Sequence, residues 1–142
     1  MNGRVAAVVG DRVVHKVFPP ITRHTLALYC GASGDHNPIH VDLDFARNAG
    51  FPDVFAHGML VMAYLGQALT DAVRPSSIRS FSTRFAAITQ LGAQLTCEGH
   101  VAELLEQSGE RRARLVLTTK DEKGEVKLAG EAIVAIEQDG QS

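Results

Sequence analysis

The pattern of apolar and polar positions divides the chain into a helical first half and a strand-rich second half. Residues 12–18 alternate as a short strand does, and Pro19-Pro20 ends it. Thr22 is a suitable helix N-cap, and apolar side chains recur three and four residues apart over 23–33. The chain therefore begins with a predicted strand followed by a predicted helix.

A polar loop and a second, shorter helix come next. Pro38 cannot continue a helix and disfavours a helical residue before it, which predicts a loop over 34–40. Asp42 is a suitable N-cap for a short helix over 43–49. Gly50 stands where a left-handed residue commonly ends a helix.

The stretch 57–73 has the strongest helical pattern in the chain. Its apolar side chains extend almost all round the helix, so we expect protein to surround it. The longest segment without Asp, Glu, Lys or Arg runs over 54–70, the minimum length for a bilayer span. Because this segment contains His57, Gln67 and Thr70, a buried core helix is the better prediction.

From residue 78 onward the apolar positions alternate, as they do in strands with one buried face. The predicted strands span 78–89, 94–106, 111–120 and 126–137. The turns between them hold Gly92, Gly109 and Gly124. In the last strand we expect Lys127, Glu131 and Glu137 to point outward. The order predicts an α+β domain, in which a four-strand meander forms an antiparallel β-sheet wrapped around a central helix.

Composition narrows the class of protein. The 142 residues are 45% hydrophobic, which suits one globular domain over residues 1–142. A net charge of -2 and 6% aromatic residues disfavour nucleic-acid binding. Cys30 and Cys97 form no disulfide framework or zinc pattern. We therefore expect a cytoplasmic protein, without a targeting segment, that binds neither nucleic acid nor membrane.

The densest group of chemically active side chains lies at 33–40, although its residue types are also common in turns. The metal-ligand candidates are Asp35, His36, His40 and His57. Pro38 prevents His36 and His40 from sharing a helix face, and no cysteine or glutamate completes a known spacing. The sequence therefore predicts no metal site.

Two other chemistries can be compared for the same loop. Ser33 and Gly34 lack the G-x-S-x-G pattern and the strand–turn–helix context of a nucleophilic serine. Asp35 and His40 are five residues apart across a turn, so their tips can meet at one atom and exchange protons. Asn37, in the same loop, can hold a water molecule. A general acid–base pair is therefore the better hypothesis.

Longer motifs surround this pair. The first consists of Tyr29, the run Ser33-Gly34-Asp35-His36-Asn37-Pro38-Ile39-His40 and, after five further residues, Ala46. It resembles the hydratase-2 motif of MaoC-like dehydratases, the (R)-specific enoyl-CoA hydratase group of the hot-dog fold. Ala56-His57-Gly58-Met59-Leu60 resembles the start of that fold's central helix, and Arg84-Phe85 fits its first long strand. The resemblance covers 12–136 and implies a single hot-dog domain, with its sheet wrapped around a long central α-helix.

The resemblance also implies an activity, the addition of water to 2-enoyl thioesters or the reverse dehydration. It implies a catalytic dyad of Asp35 and His40, a water held by Asn37, and a thioester oxygen bound by the Gly58 backbone N–H. An N–H at a helix N-terminus is well placed for that oxygen. The residues that we expect to support the site or line its pocket are Ser33, His57 and Tyr64. The substrate is a thioester of coenzyme A or of acyl carrier protein, and no other cofactor is implied.

Two other functions are compatible with a hot-dog fold. A hot-dog thioesterase would use Gln67 or Asp71 of the central helix, and a non-catalytic acyl-CoA-binding protein would use neither acid nor base. Long sheet edges need cover, and hot-dog relatives join two sheets edge to edge. We therefore expect a homodimer, with a heteromer containing a related subunit as the alternative.

Overall fold

Five strands form a single antiparallel sheet in the computed structural model, which describes residues 7–136. The strands are β1 (Arg12–Val17), β2 (Ile78–Phe85), β3 (Thr96–Gln107), β4 (Glu110–Lys120) and β5 (Val126–Ala135). The helices are α1 (Arg23–Ser33), α2 (Leu43–Asn48) and α3 (Gly58–Ala72), with short 3₁₀ helices at Pro38–His40 and Pro75–Ser77. The predicted fold class is confirmed, since the order β1-β3-β4-β5-β2 places one sheet against a long helix.

The predicted four-strand meander is wrong in one respect. Strands β3, β4 and β5 follow one another, but β2 pairs with β5 and forms an edge of the sheet. The segment 86–95 takes the chain from this edge back to β3, which lies between β1 and β4. Alternating polarity identifies a strand and its buried face but does not specify its partner.

The strand predicted over 78–89 ends earlier, at Phe85. The residues that follow make their backbone hydrogen bonds to other parts of the chain. Ala86 N–H donates to the Lys127 carbonyl at 2.9 Å, and the Thr89 carbonyl accepts from Ala56 N–H at 2.8 Å. Residues 86–90 therefore form a loop that is hydrogen-bonded to β5 at one end and to the segment just before α3 at the other.

Helix α3 packs on one face of the sheet and contributes much of the core. Leu65 and Leu69 are almost fully buried, and burying one leucine side chain contributes about 1.5–3 kcal/mol. The expectation that protein surrounds this helix is wrong for the single chain, because one stripe is exposed. The stripe consists of Met59, Ala63, Gln67 and Thr70. Among the described residues, no helix is long and apolar enough to cross a membrane.

The predicted caps and turn glycines are confirmed. The side chains of Thr22 and Asp42 each accept a backbone N–H in the first turn of α1 and α2, both at 3.1 Å. Gly50 follows α2 with φ of 97°. The glycines with positive φ in the strand connections are Gly92, Gly109 and Gly124. Short-range signals in the sequence therefore set most element boundaries.

Lys127 is buried, which corrects the prediction that it points outward. In the β4–β5 ladder Thr119 pairs with Leu128 and Lys120 pairs with Val126, so Lys127 is an extra residue on β5. Such a β-bulge breaks the alternation of sides and re-aims a side chain.

The other two outward predictions in β5 have different outcomes. Glu131 is exposed, as predicted. Glu137 lies outside the described residues, and β5 itself ends at Ala135.

Candidate active site

Ser33 shapes the backbone that leads into the site. Its hydroxyl donates to the Tyr29 carbonyl at 2.7 Å and accepts from the Asp35 N–H at 3.1 Å. Gly34, with φ of 75°, ends α1 in a left-handed conformation. Ser33 is therefore a backbone-fixing residue that positions Asp35.

The polar loop then folds on its own side chains. The Asp35 carboxylate accepts from the Asn37 N–H at 3.2 Å, and the Asn37 side-chain oxygen accepts from the Ile39 N–H at 3.1 Å. The predicted loop over 34–40 therefore ends in one 3₁₀ turn, Pro38–His40, which was not predicted from the sequence. The Asn37 side chain caps this turn. The Asn37 side chain keeps two further N–H donors.

His40 is held in one tautomer by the backbone. Its Nδ1 lies 2.8 Å from the Phe55 carbonyl oxygen, which can only accept, so Nδ1–H is the donor. In the neutral ring Nε2 therefore carries the lone pair. The ring is buried and packs edge-on against the Phe55 ring. His40 thus presents one fixed basic atom, as a general base must.

His57 lies directly beside His40. The two rings stack with their centroids 3.8 Å apart, and only 1% of His57 is exposed. Its Nε2–H donates to the Asp35 carbonyl at 3.4 Å, and Cys30 Sγ lies at the same distance. Nδ1 has no hydrogen-bond partner in residues 7–136. Burial, and next the neighbouring His40, lower the pKa of His57, so its ring favours the neutral state.

Asp35, His40 and His57 each bring one oxygen or ring nitrogen to within 4.8 Å of the others. The structure therefore brings together the two residues proposed from their spacing. The two imidazole planes are only 25° apart, as in a stacked pair. His40 Nδ1 is also occupied by the Phe55 carbonyl. The three groups are close enough to share one ligand, and the Phe55 hydrogen bond leaves Nε2 as the free ring atom of His40.

Gly58 is the first residue of α3, and its N–H is outside the helical hydrogen-bond ladder. The preceding His57 side chain makes no capping hydrogen bond, so this amide stays available to a ligand. A mainly apolar cavity of about 330 Å³ adjoins it. Its lining includes Phe55, Gly58, Val61, Phe85, Ile88 and Leu128. Asp35 and His40 are not among the described residues that line this cavity; His40 reaches its border through Phe55, whose carbonyl accepts from His40 Nδ1.

Tyr64 lies two helical turns beyond Gly58. Its ring stacks on Phe18 at 4.6 Å between centroids, and burial raises the pKa of its hydroxyl. The structure packs Tyr64 against the hydrophobic core, and it is not among the described residues that line the cavity beside Gly58.

A family model described as a MaoC-like domain matches residues 4–126. The chain belongs to the MaoC-like dehydratase family. The (R)-specific enoyl-CoA hydratase of Rhodospirillum rubrum is 31% identical over 118 residues, covering 82% of this chain and 80% of that protein. The structure of the R-hydratase PhaJ1 from Pseudomonas aeruginosa superposes with a TM-score of 0.82 at 30% identity. The superposition covers 96% of this chain and 88% of that one.

Several curated relatives are much longer than this chain. The peroxisomal enoyl-CoA hydratase 2 of Arabidopsis thaliana is 31% identical over 100 residues, which are 68% of this chain but 32% of that protein. This MaoC-like domain therefore spans about a third of that relative's length.

Two contributors to the MaoC-like site were missed by sequence reasoning. Phe55 acts through its backbone carbonyl, which no side-chain pattern reveals. Lys127 lines the cavity, although alternation placed it outside. A usable signal for Lys127 was the presence of Asp121 and Glu125 nearby in the chain, since a buried lysine needs a carboxylate partner.

Proposed function

We propose that this protein hydrates trans-2-enoyl thioesters to (R)-3-hydroxyacyl thioesters, or catalyses the reverse dehydration. The observation that carries the proposal is the geometry around His40. Its Nε2 is the basic atom left free by the Phe55 hydrogen bond, an Asp35 oxygen lies within 4.8 Å of a His40 ring nitrogen, and the Gly58 amide opens beside an apolar cavity. The similarity to named hydratases supports the same reaction.

The reaction assigns one task to each group. His40 Nε2 accepts a proton from water while the water oxygen bonds to C3 of the substrate. The C2–C3 π electrons move toward the thioester carbonyl, whose oxygen becomes negative and accepts from Gly58 N–H. The C2 carbon then takes the proton of Asp35, which begins the cycle as a neutral carboxyl beside neutral His40 and ends this step as a carboxylate. Proton transfer from His40 back to Asp35 restores the pair.

Three residues around this pair hold it in place. Asn37 supplies side-chain N–H donors for the attacking water, while its oxygen caps the turn that presents His40. Ser33 fixes the Asp35 backbone, and His57 stacks on the His40 ring. The neutral state of His57 avoids a second positive charge beside His40 when His40 takes up its proton.

The thioesterase alternative fits the structure less well. Asp71 is ion-paired with Lys16 near the far end of α3. Gln67 is exposed and nine residues beyond Gly58, about 13 Å away at 1.5 Å per helical residue. Neither side chain adjoins the Asp35–His40 pair. The non-catalytic alternative leaves this pair without a role.

One assay separates these functions. A 2-enoyl-CoA is incubated with the protein, and both the absorbance of the conjugated enoyl thioester and the release of free thiol are followed. The proposal predicts loss of enoyl absorbance without thiol. Thiol release would indicate a thioesterase, and no reaction with retained binding would indicate a sensor.

We further propose that the active unit is a homodimer joined along β2. Strand β2 is one of the two edges of the sheet, and it carries the exposed Phe85 side chain. Exposed edges pair or are covered in soluble proteins. Light scattering on the purified chain should give twice the mass of one chain. A stable, fully active monomer would contradict this assembly, and a mass that doubles only with a related subunit would indicate a heteromer.

The proposed reaction needs no metal or other cofactor, since coenzyme A or acyl carrier protein enters with the substrate. We place the enzyme in the cytoplasm, because Cys30 and Cys97 are free thiols and suit a reducing compartment.

A further inference from the structure

Lys127 lines the same cavity as Gly58, and its ammonium group is buried. Only 2% of the residue is exposed. Its Nζ donates to the Ile88 carbonyl at 2.8 Å and to the Glu125 carboxylate, and Asp121 lies 3.6 Å away. Of these partners Ile88 lines the cavity, whereas Asp121 and Glu125 belong to the turn between β4 and β5.

The loop 86–90, here called the wall loop, forms one side of the same cavity. One end is attached to β5 by the Ala86–Lys127 backbone bond, and Thr89 is attached to Ala56, two residues before Gly58. Between these attachments, the Ile88 carbonyl is held by the Lys127 side chain. Lys127 is therefore the central attachment of a loop whose two ends already lie beside the site.

A second contact joins the same acidic group to the wall loop. The Gln90 side chain donates to Asp121 at 3.1 Å, and the other Asp121 oxygen accepts the backbone N–H groups of Lys123 and Glu125. Asp121 is thus fixed by its own turn and holds both Lys127 and Gln90. We call this arrangement the clasp: Asp121, Glu125 and Lys127, at the β4–β5 turn, form the hydrogen bonds and ion pairs that hold Ile88 and Gln90 of the wall loop.

Stability alone is a poor explanation for this clasp. The cost of removing two charges from water often offsets their attraction, and well-packed apolar side chains of similar size can do as well. What the ammonium supplies, and an apolar side chain does not, is a directed bond to the Ile88 carbonyl. The β-bulge that turns Lys127 inward is a device found near active sites.

We propose that Lys127 is a positioning residue for thioester binding. Its clasp holds the wall loop at the distance from Gly58 that the acyl part of the substrate needs. This inference rests on the proposed function for the identity of the ligand. Because the clasp acts on the cavity wall and not on the reacting atoms, its loss weakens binding in substrate and transition state alike. Such a change raises KM and leaves kcat nearly unaltered.

The kinetic test compares Lys127→Met with Lys16→Met, a matched lysine whose carboxylate partner, Asp71, lies near the other end of α3. For Lys127→Met we expect KM for a 2-enoyl-CoA to rise about tenfold, the scale of one hydrogen bond to a charged group. We expect kcat to stay within about twofold. Lys16→Met should keep both constants. A fall in kcat with unchanged KM would overturn the proposal.

Amide hydrogen exchange provides a readout independent of activity. The amides of Ala56 and Ala86 are protected by their bonds to the wall loop and to β5. In Lys127→Met both should exchange faster, while the Val101 amide, bonded to Asp11 across the sheet, should keep its rate. Native exchange rates at Ala56 and Ala86 in folded Lys127→Met would refute the clasp.

A variant on the loop side covers the case in which Lys127→Met fails to fold. Ile88→Gly keeps Lys127 and its carboxylates but loosens the wall loop, so it should raise KM and speed the same two amides. Glu125→Gln, on an exposed side chain, should do so more weakly. Unchanged KM and exchange in both variants would reject the proposal.

Failure of the proposed function would look different. If the wild type hydrates no enoyl thioester, affinity for butanoyl-CoA, a saturated thioester that cannot be hydrated, replaces KM in the comparison. Weaker binding by Lys127→Met with faster exchange would then support the clasp without the hydratase. Equal binding would reject it.

Discussion

Replacing Gly58 tests the oxyanion site where the structure is most specific. A Cβ on Gly58 would lie 3.0 Å from Cε1 and 3.1 Å from Cδ1 of Phe85. The contacted atoms belong to the Phe85 side chain, which lines the cavity and can shift into it, so the fold should tolerate the change. The valine methyl groups would instead occupy the space beside the amide, where the thioester oxygen must lie. We expect Gly58→Val to lower kcat by about 10²–10³-fold, the scale of one lost oxyanion donor.

The same helix offers a matched control. A Cβ on Gly66 would lie 3.7 Å from Cε1 of Phe81, which is an ordinary contact. Gly66→Ala should therefore keep kcat and stabilise α3 by about 0.5–1 kcal/mol, because alanine loses less backbone entropy than glycine. Steady-state hydration of a 2-enoyl-CoA measures activity, and urea unfolding measures stability. Normal turnover by a folded Gly58→Val protein would show that the oxyanion is held elsewhere.

The remaining predictions concern the dyad, metal independence, pH and the sheet. Asp35→Asn and His40→Ala should each lower kcat by about 10²–10⁴-fold in the hydration assay, whereas a chelator should have no effect; chelator inactivation reversed by zinc would contradict this mechanism. The pKa of His57 is lowered in the folded state, so the unfolded state takes up this proton first as the pH falls below about 6.5. The free energy of unfolding should therefore decrease as the pH is lowered below that value. In His57→Gln, urea unfolding measured at several pH values should show a smaller decrease. Gly130→Ala would place a Cβ 2.3 Å from the Ser82 carbonyl oxygen, so urea unfolding should show a loss of about 1–3 kcal/mol; an unchanged midpoint would refute that reading.

Local signals in the sequence predicted much of the fold. Thr22 and Asp42 cap helices because a side-chain oxygen reaches a backbone N–H three residues on, which depends on neighbours in the chain alone. The edge position of β2 depends instead on which strand it meets after α3. Polarity alternation carries no information on that choice, and the predicted meander was wrong for this reason.

In the candidate site, too, some features follow from neighbours in the chain and others depend on tertiary contacts. Asp35 and His40 were predicted from their spacing across a turn, and the structure brings them together. The tautomer of His40 depends on the Phe55 carbonyl, which any residue at that position would supply. The inward direction of Lys127 depends on one extra residue in a β-bulge, and period-two alternation has no means of showing it.

The most direct test of the central claim follows the hydrogen added at C2 in heavy water. A 2-enoyl-CoA is incubated in D₂O with the wild type and, separately, with Asp35→Asn, and the product is analysed by chiral chromatography and mass spectrometry. The account predicts that the wild type forms the (R)-3-hydroxyacyl thioester with one deuterium on C2, and that Asp35→Asn forms it at least about 100-fold more slowly. A racemic product, or an Asp35→Asn rate equal to that of the wild type, would contradict it.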